Sequence, residues 1–318
     1  MKLINRQQPK GLKCSCCSHQ AHSVLTPSFL HINKRKTIRS FDPTQTRLLR
    51  DRYVAQMRKR FKLIRKAIFE FVVKEDCFGL IDSPKILRRD FAFRTSSDKV
   101  TGFMDWLMKQ EDDKILEITY TPGKSTVSRK PWEKMYIQSA YKKGMERSEK
   151  QLRKMGVKTT PFPNVPIFSV DVMFNLPIHA DRIGLLYTRS FNELKGITDV
   201  MDQKISRSLA QGMAEGRGPR EIARDLIKEV NISQQRAETL ARTEIINAHA
   251  EATLNTYAAA GVHKVAVEAE WSTAQDDKVC PLCEPLDGKI FDLKEARGMI
   301  PRHPNCRCAW LPVVNFDK

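Results

Sequence analysis

The sequence predicts an α+β protein, predominantly α-helical, that ends in a small β-containing domain organised by metal-capable side chains. Three observations carry this. Apolar residues recur at the helical period over much of the chain, a clear period-two run appears late, and five cysteine and histidine side chains fall within 29 residues near the C-terminus. At 318 residues, 41% of them hydrophobic, the chain is long enough for two or three domains with real cores.

Residues 1–42 mix Gly, Pro, Ser, His and Lys with little periodicity and read as a basic extended arm. Residues 1–70 hold 17 Lys and Arg against Asp42, Asp51 and Glu70, so +14 of the net +18 charge lies there. That asymmetry points to an arm facing a polyanion. Within it Cys14, Cys16, Cys17, His19 and His22 crowd five potential ligands into nine residues, tighter than an ordinary knuckle. They read as a small metal site or as a thiol-rich loop. The opening stretch lacks the apolar run of a signal peptide, and no stretch is apolar enough to span a membrane.

A basic helical region is expected over 43–160. Asp42 can cap a helix whose apolar stripe is Leu49, Tyr53, Met57, Phe61, Ile64, Ile68 and Val72. Its other face carries Arg47, Arg50, Arg52, Arg58, Lys59, Arg60, Lys62, Arg65 and Lys66, with Asp51 as the lone acid. Nine like charges on one helix repel unless an anion is near: duplex phosphates, an acidic partner surface or a membrane surface. No base-reading motif accompanies them, so contact with DNA is expected to be sequence-independent. A short helix near Asp98–Gln110 and a strand at Ile115–Thr121 follow. Pro131 then fits the first position of a long helix through Met155, with Ile137, Tyr141, Met145, Ser148 and Leu152 on one face and Gly156 as its stop. Thr160–Pro166, with three prolines, is the expected boundary.

A helical core is expected over 167–262. Thr198 is placed as the cap of a helix ending at Gly216, Pro219 opens a second closing near Asn231, and Ser233 caps a third running to Gly261. Ala237, Ala241, Ile245, Ala248 and Ala252 make a narrow face suited to close helix packing. Glu238 and Arg242 are spaced to pair along the helix, whereas Glu244 needs a partner from another element. The structural reading of Arg242 and Glu244 is charge pairing; the alternative is a catalytic pair of the ADP-ribosyl-transfer kind.

Residues 263–318 form the expected zinc-binding domain. A strand at Val265–Trp271 leads to Cys280-Pro-Leu-Cys283, a hairpin turn at Asp287-Gly288, and His303-Pro-Asn-Cys306-Arg-Cys308. Two paired ligand blocks at this separation are the usual sign of one Zn2+ tying two turns together. Cys280, Cys283, His303, Cys306 and Cys308 compete for four places, and so small a domain has little core of its own. A redox role for the first pair lacks its βαβ setting.

In order, Ala241-Arg-Thr-Glu244, Trp271-Ser-Thr-Ala-Gln-Asp276-Asp277, the cysteine pair, Leu286-Asp-Gly288 and the final His-Cys block resemble the C-terminal domain of phage Mu F-like minor head proteins, the head-morphogenesis family of tailed phages. Gly218–Leu226 is similar to the helix that precedes that domain. The resemblance covers roughly residues 195–313. It implies a structural, non-enzymatic virion component, docked on the phage portal protein inside the head and touching packaged double-stranded DNA. Assembly beside other head or scaffold proteins in the host cytoplasm, and help in genome delivery, also follow. The toxin domain that some members carry beyond this point is not expected, since the chain ends at Lys318. The alternative is a zinc-stapled nuclease, for which Asp276, Asp277 and Asp287 would supply carboxylates.

Overall fold

The computed structural model describes residues 12–13, 20–21, 42–80, 95–120, 127–129, 132–157, 174, 176–261 and 266–315. In chain order these give β1 (Leu12–Lys13), β2 (Gln20–Ala21), α1 (Arg47–Phe69), α2 (Ser96–Glu111), β3 (Ile118–Tyr120), β4 (Val127–Arg129), α3 (Lys134–Lys154), α4 (Pro177–Ala214), α5 (Pro219–Gly261), β5 (Ala266–Ser272), β6 (Ile290–Phe291), α6 (Leu293–Ala296) and β7 (Ala309–Asn315). The chain is mostly helical with a small C-terminal sheet, as its periodicity predicts. The cysteine–histidine cluster of the arm and the Thr160–Pro166 connector lie outside the described residues. Contacts group the chain into two compact units, each discontinuous in sequence: Leu49–Ile137 with Asp181–Arg242, and Met1–Leu48 with Gln138–Ala180 and Thr243–Lys318.

In the first of these units α1 buries Tyr53, Met57, Phe61, Ile64 and Ile68 completely, the stripe read from the sequence. Tyr53 stacks on Tyr136 at 4.6 Å, and Phe71 stacks on Trp106 at 4.2 Å. A wide helical turn at Glu70–Lys74 carries Phe71 and Val72 inward. Helix α2 starts at a capping box between Thr95 and Asp98, then buries Phe103 and Leu107. The strand expected at Ile115–Thr121 is shorter: Ile115 and Leu116 close a widened helical turn, and only Ile118–Tyr120 pair, with Val127–Arg129.

In the other unit α3 ends where Gly156 adopts φ +82°, with Gly156 N–H on Arg153 O and Val157 N–H on Leu152 O. Glycine is favoured there because only it enters the left-handed region without strain. The backbone of α5 approaches so closely that a Cβ at Gly144 would lie 2.5 Å from His249 O and 2.8 Å from Ala252 Cβ. The small-residue face predicted on α5 serves this packing. Beyond it β5 lies between β6 and β7, all antiparallel, with Trp271 opposite Trp310. The two indoles meet edge to face at 5.2 Å.

Several expectations are corrected. Thr198 is not a cap: α4 is continuous from Pro177, and the Thr198 hydroxyl donates to Lys195 O on its own helix. Ser233 is likewise interior, because α5 runs unbroken for 43 residues with neither Gly nor Pro at its middle to stop it. The Asp287-Gly288 turn does not join two adjacent strands; it feeds the knuckle onto β6, whose partner is β5. Strand β7 has no clear signal in the sequence, since Pro312 interrupts its pattern; on an edge strand that proline leaves the ladder intact.

This packing carries two expected outcomes. Gly144→Ala should destabilise the chain by about 1–3 kcal/mol or more in denaturant unfolding, because the added methyl has to push a pair of helix backbones apart. The second concerns pH. Glu111, 2% exposed, shares a hydrogen bond with Asp202, and burial first, then Asp202, pushes it up to about 10; burial raises Asp202 to about 6. Both folded values exceed the unfolded ones, so the folded state keeps protons that the unfolded chain gives up. Stability should therefore fall as pH rises from about 4, the unfolded carboxylate range, towards the folded value of Glu111. Glu111→Gln should flatten that decline in unfolding curves recorded across pH; an undiminished slope would contradict the assignment.

Candidate metal centre

The residues between β5 and β7 converge through two turns of the same kind. In Cys280-Pro-Leu-Cys283 the Cys283 N–H bonds to Cys280 O at 3.0 Å; in His303-Pro-Asn-Cys306 the Cys306 N–H bonds to His303 O at 3.1 Å. Asn305 in the second turn takes φ +59°, a conformation asparagine tolerates better than most residues. Its N–H donates to the Thr243 hydroxyl at 3.1 Å, tethering this turn to α5.

These turns bring all five predicted ligands together. Cys280, Cys283 and His303 offer ligand atoms within 4.8 Å of one another, and Cys283, Cys306 and Cys308 form a second such triad sharing the Cys283 sulfur. His303 Nε2 lies 3.0 Å from the Cys280 sulfur and 3.2 Å from that of Cys283. Its other ring nitrogen, Nδ1, lies 2.8 Å from Pro304 O, the bond that would orient Nε2 inward as a ligand. A cavity of about 10 Å³, lined by Cys280, Cys283, His303 and Cys308 among others, is on the scale of a single small guest.

Hydrogen bonds from Cys283 and Cys308 hold the Cys306 thiol well below its ordinary value. Cys283 is pushed up, first by its bond to Cys306, so two thiols share hydrogen bonds with the Cys306 sulfur. A soft divalent ion coordinated by such sulfurs would deprotonate them outright.

The cluster is not a small knuckle standing alone. The four cysteines lie in one core with Trp271, Trp310, Ile246, Leu254 and Tyr257, so the expectation of little supporting core is corrected. The Tyr257 hydroxyl lies 3.3 Å from Trp310 O. Arg307, between the last two cysteines, grips Asp276 with bonds of 2.6 and 2.7 Å. Asp276 also accepts the Lys278 N–H, and Asp287 accepts the Thr273 N–H. These carboxylates hold turns. The Arg307–Asp276 pairing, invisible at a separation of 31 residues, is the feature of the site that the sequence alone missed.

The basic stripe of α1 divides in two. Arg58 makes a two-pronged bond to Glu238, Arg60 bonds Glu117 at 2.7 Å and lies 3.9 Å over the Trp132 ring, and Arg65 bonds Gln234. Lys66 approaches Glu70 at 3.9 Å, and Arg50 is half-buried. Arg47, Arg52, Lys59 and Lys62 are exposed. Some of the charge that the sequence reading assigns to an external anion is thus satisfied within the fold. Glu238 also takes Arg242 at 3.4 Å, as its spacing predicts. Glu244, buried, finds Asn247 on its own helix at 3.2 Å rather than only a distant element.

Residues 203–311 match the family described as Phage Mu protein F like protein, so this third of the chain is Mu F-like, as its motifs indicate. The chain is 30% identical over 129 residues to the minor head protein GP7 of Bacillus phage SPP1, covering 36% of this chain and 41% of that protein. It is 27% identical over 165 residues to the NAD(+)--arginine ADP-ribosyltransferase EFV of Enterococcus faecalis, covering 48% of this chain and 33% of that one. The chain therefore spans well under half the length of these relatives. No solved structure matches it at a significant level.

If Arg307 and Asp276 strap the two ligand turns together, Arg307→Ala should lower the melting temperature by several degrees, about 1.5–3 kcal/mol for a charge-assisted pair. The double variant with Asp276→Asn should cost little more than either single change. Fully additive losses would show that the two residues act separately.

Proposed function

We propose that this chain is a minor structural component of a tailed-phage head, held at the portal protein inside the virion and touching packaged duplex DNA, with one zinc ion as a structural staple. What carries this reading is that the Mu F-like segment, residues 203–311, contains the whole five-residue cluster together with all of α5, the helix that anchors it, while a minor head protein is among the relatives. Three of the four zinc ligands are Cys280, Cys283 and His303; the fourth is Cys306 or Cys308, both of which contact Cys283. A closed set of four such ligands is the structural kind of zinc site, with no open position for a reacting water.

Portal docking is what the family resemblance implies, as are contact with other head or scaffold proteins and a role in assembly or genome delivery. The exposed cations of α1 supply a sequence-independent surface for phosphates. Among the described residues no helix is long and apolar enough to cross a membrane, in keeping with a place inside a virion.

The reading as a non-enzyme has local support. A zinc-stapled nuclease needs carboxylates free to hold a second metal, whereas Asp276 and Asp287 are bonded to Arg307 and to backbone N–H groups. Similarity to an ADP-ribosyltransferase covers a third of that protein, and here Glu244 is 1% exposed and bonded to Asn247.

One variant tests both contacts. Arg52, Lys59 and Lys62 are exposed and belong to no ion pair described above, so reversing all three to Glu leaves the Arg58, Arg60 and Arg65 contacts intact. The variant should bind duplex DNA more weakly, with the salt slope reduced by about 2–3 units. It should still co-purify with the portal oligomer on co-expression. Loss of portal association with unchanged DNA affinity would transfer these cations to the portal. Failure of the unaltered chain to associate with the portal would overturn the docking.

A further inference from the structure

A second basic surface lies on α3, in the unit that also holds the cysteine cluster. Lys143, Arg147, Lys150 and Lys154 recur at intervals of four, three and four, which puts all four on one helix face. Together with Thr44, Gln45, Glu146 and Gln151 they line a pocket of about 370 Å³, within the range of about 300–1,000 Å³ that ligand sites occupy. Four cations face one carboxylate there. Among the described residues, the Arg153–Glu149 ion pair on this helix uses neither side of the pocket.

Arg147 is the unusual member. Its Nε and Nη1 atoms are buried yet have no hydrogen-bond partner among the described residues. Burial lowers its hold on the proton; Asp42 acts the other way, but the Asp42 carboxylate is already engaged by the Thr44 hydroxyl and the N–H groups of Thr44 and Arg47. Unsatisfied guanidinium donors are costly, and a small shift of the side chain towards the pocket would let an oxyanion with several acceptors satisfy them. The remaining lining suits donors as well: the Gln151 oxygen accepts from the Tyr257 hydroxyl, which leaves its NH2 group to donate. The Asp42–Thr46 turn forms the opposite wall, fixed by the same Asp42 bonds and by the 2.7 Å contact between the Thr44 and Thr46 hydroxyls.

We propose that this pocket binds phosphate groups of a polyanion, with Arg147 as the central ligand and Lys143, Lys150 and Lys154 around it. The recess is wide enough for consecutive phosphates rather than a lone one. These come either from a free polyphosphate ester or from a nucleic-acid backbone. The proposal stands apart from the α1 surface, which shares none of these residues.

The test uses the full chain and tripolyphosphate as the probe, followed by titration calorimetry. Arg147→Gln should weaken binding by about tenfold, the size expected for losing one charge-assisted hydrogen-bonding group. Lys150→Gln with Lys154→Gln, both on the helix surface and safe for folding, should weaken it further and reduce its salt dependence, whereas the reversal of Arg52, Lys59 and Lys62 should leave it unchanged. Competition by a short duplex that itself loses affinity in Arg147→Gln identifies a backbone source; competition by a nucleoside triphosphate but not the duplex identifies a free one. No binding of tripolyphosphate, or affinity unchanged in both α3 variants, would overturn the site.

Discussion

The C-terminal architecture rests on bringing two turns, Cys280–Cys283 and His303–Cys308, to one point against the β5–β7 sheet. Two thiols crowd round the Cys306 sulfur there, with a histidine nitrogen 3.0 Å from a fourth sulfur, that of Cys280. Left to themselves such groups oppose one another through desolvation and shared protons. A bound cation would resolve that conflict, and the cysteines are buried away from water with Trp271 and Trp310. The Arg307–Asp276 bond and the Asn305–Thr243 tether then transmit the position of the cluster to the loop before it and to α5.

The same logic of satisfied charge distinguishes the two basic surfaces. Helix α1 uses Arg58, Arg60 and Arg65 to hold its neighbours and offers only its outer cations to a partner. Helix α3 keeps Arg147 in a recess with buried donors unmet. The first is a surface on which a polyanion can lie in any register. The second is a socket that selects groups with several closely spaced oxygens.

Much of this is legible in the chain. Every residue of the α1 stripe except half-buried Leu49 and Val72 is on the buried face of that helix, and Val72 is buried in the turn that follows it. The five metal-capable residues converge as their spacing predicts, because turn chemistry is local. Long-range choices are not legible. Nothing near Arg58 in sequence announces Glu238, 180 residues away, and nothing at Thr44 announces α3. Thr198 and Ser233 read as caps because their side chains compete with helical bonds, yet in α4 and α5 continued apolar periodicity overrides that preference. The discontinuity of the two units is a property of tertiary contacts that no local pattern encodes.

The central claim is that a metal ion unites the two turns, and the most direct measurement is zinc K-edge X-ray absorption on the purified full chain, with metal content determined on the same sample. The account predicts about one zinc per chain in a four-coordinate shell of about three sulfurs and one nitrogen, the sulfurs at about 2.3 Å. A chain that contains no zinc, fails to take it up when offered, and melts at the same temperature with or without a chelator would contradict it.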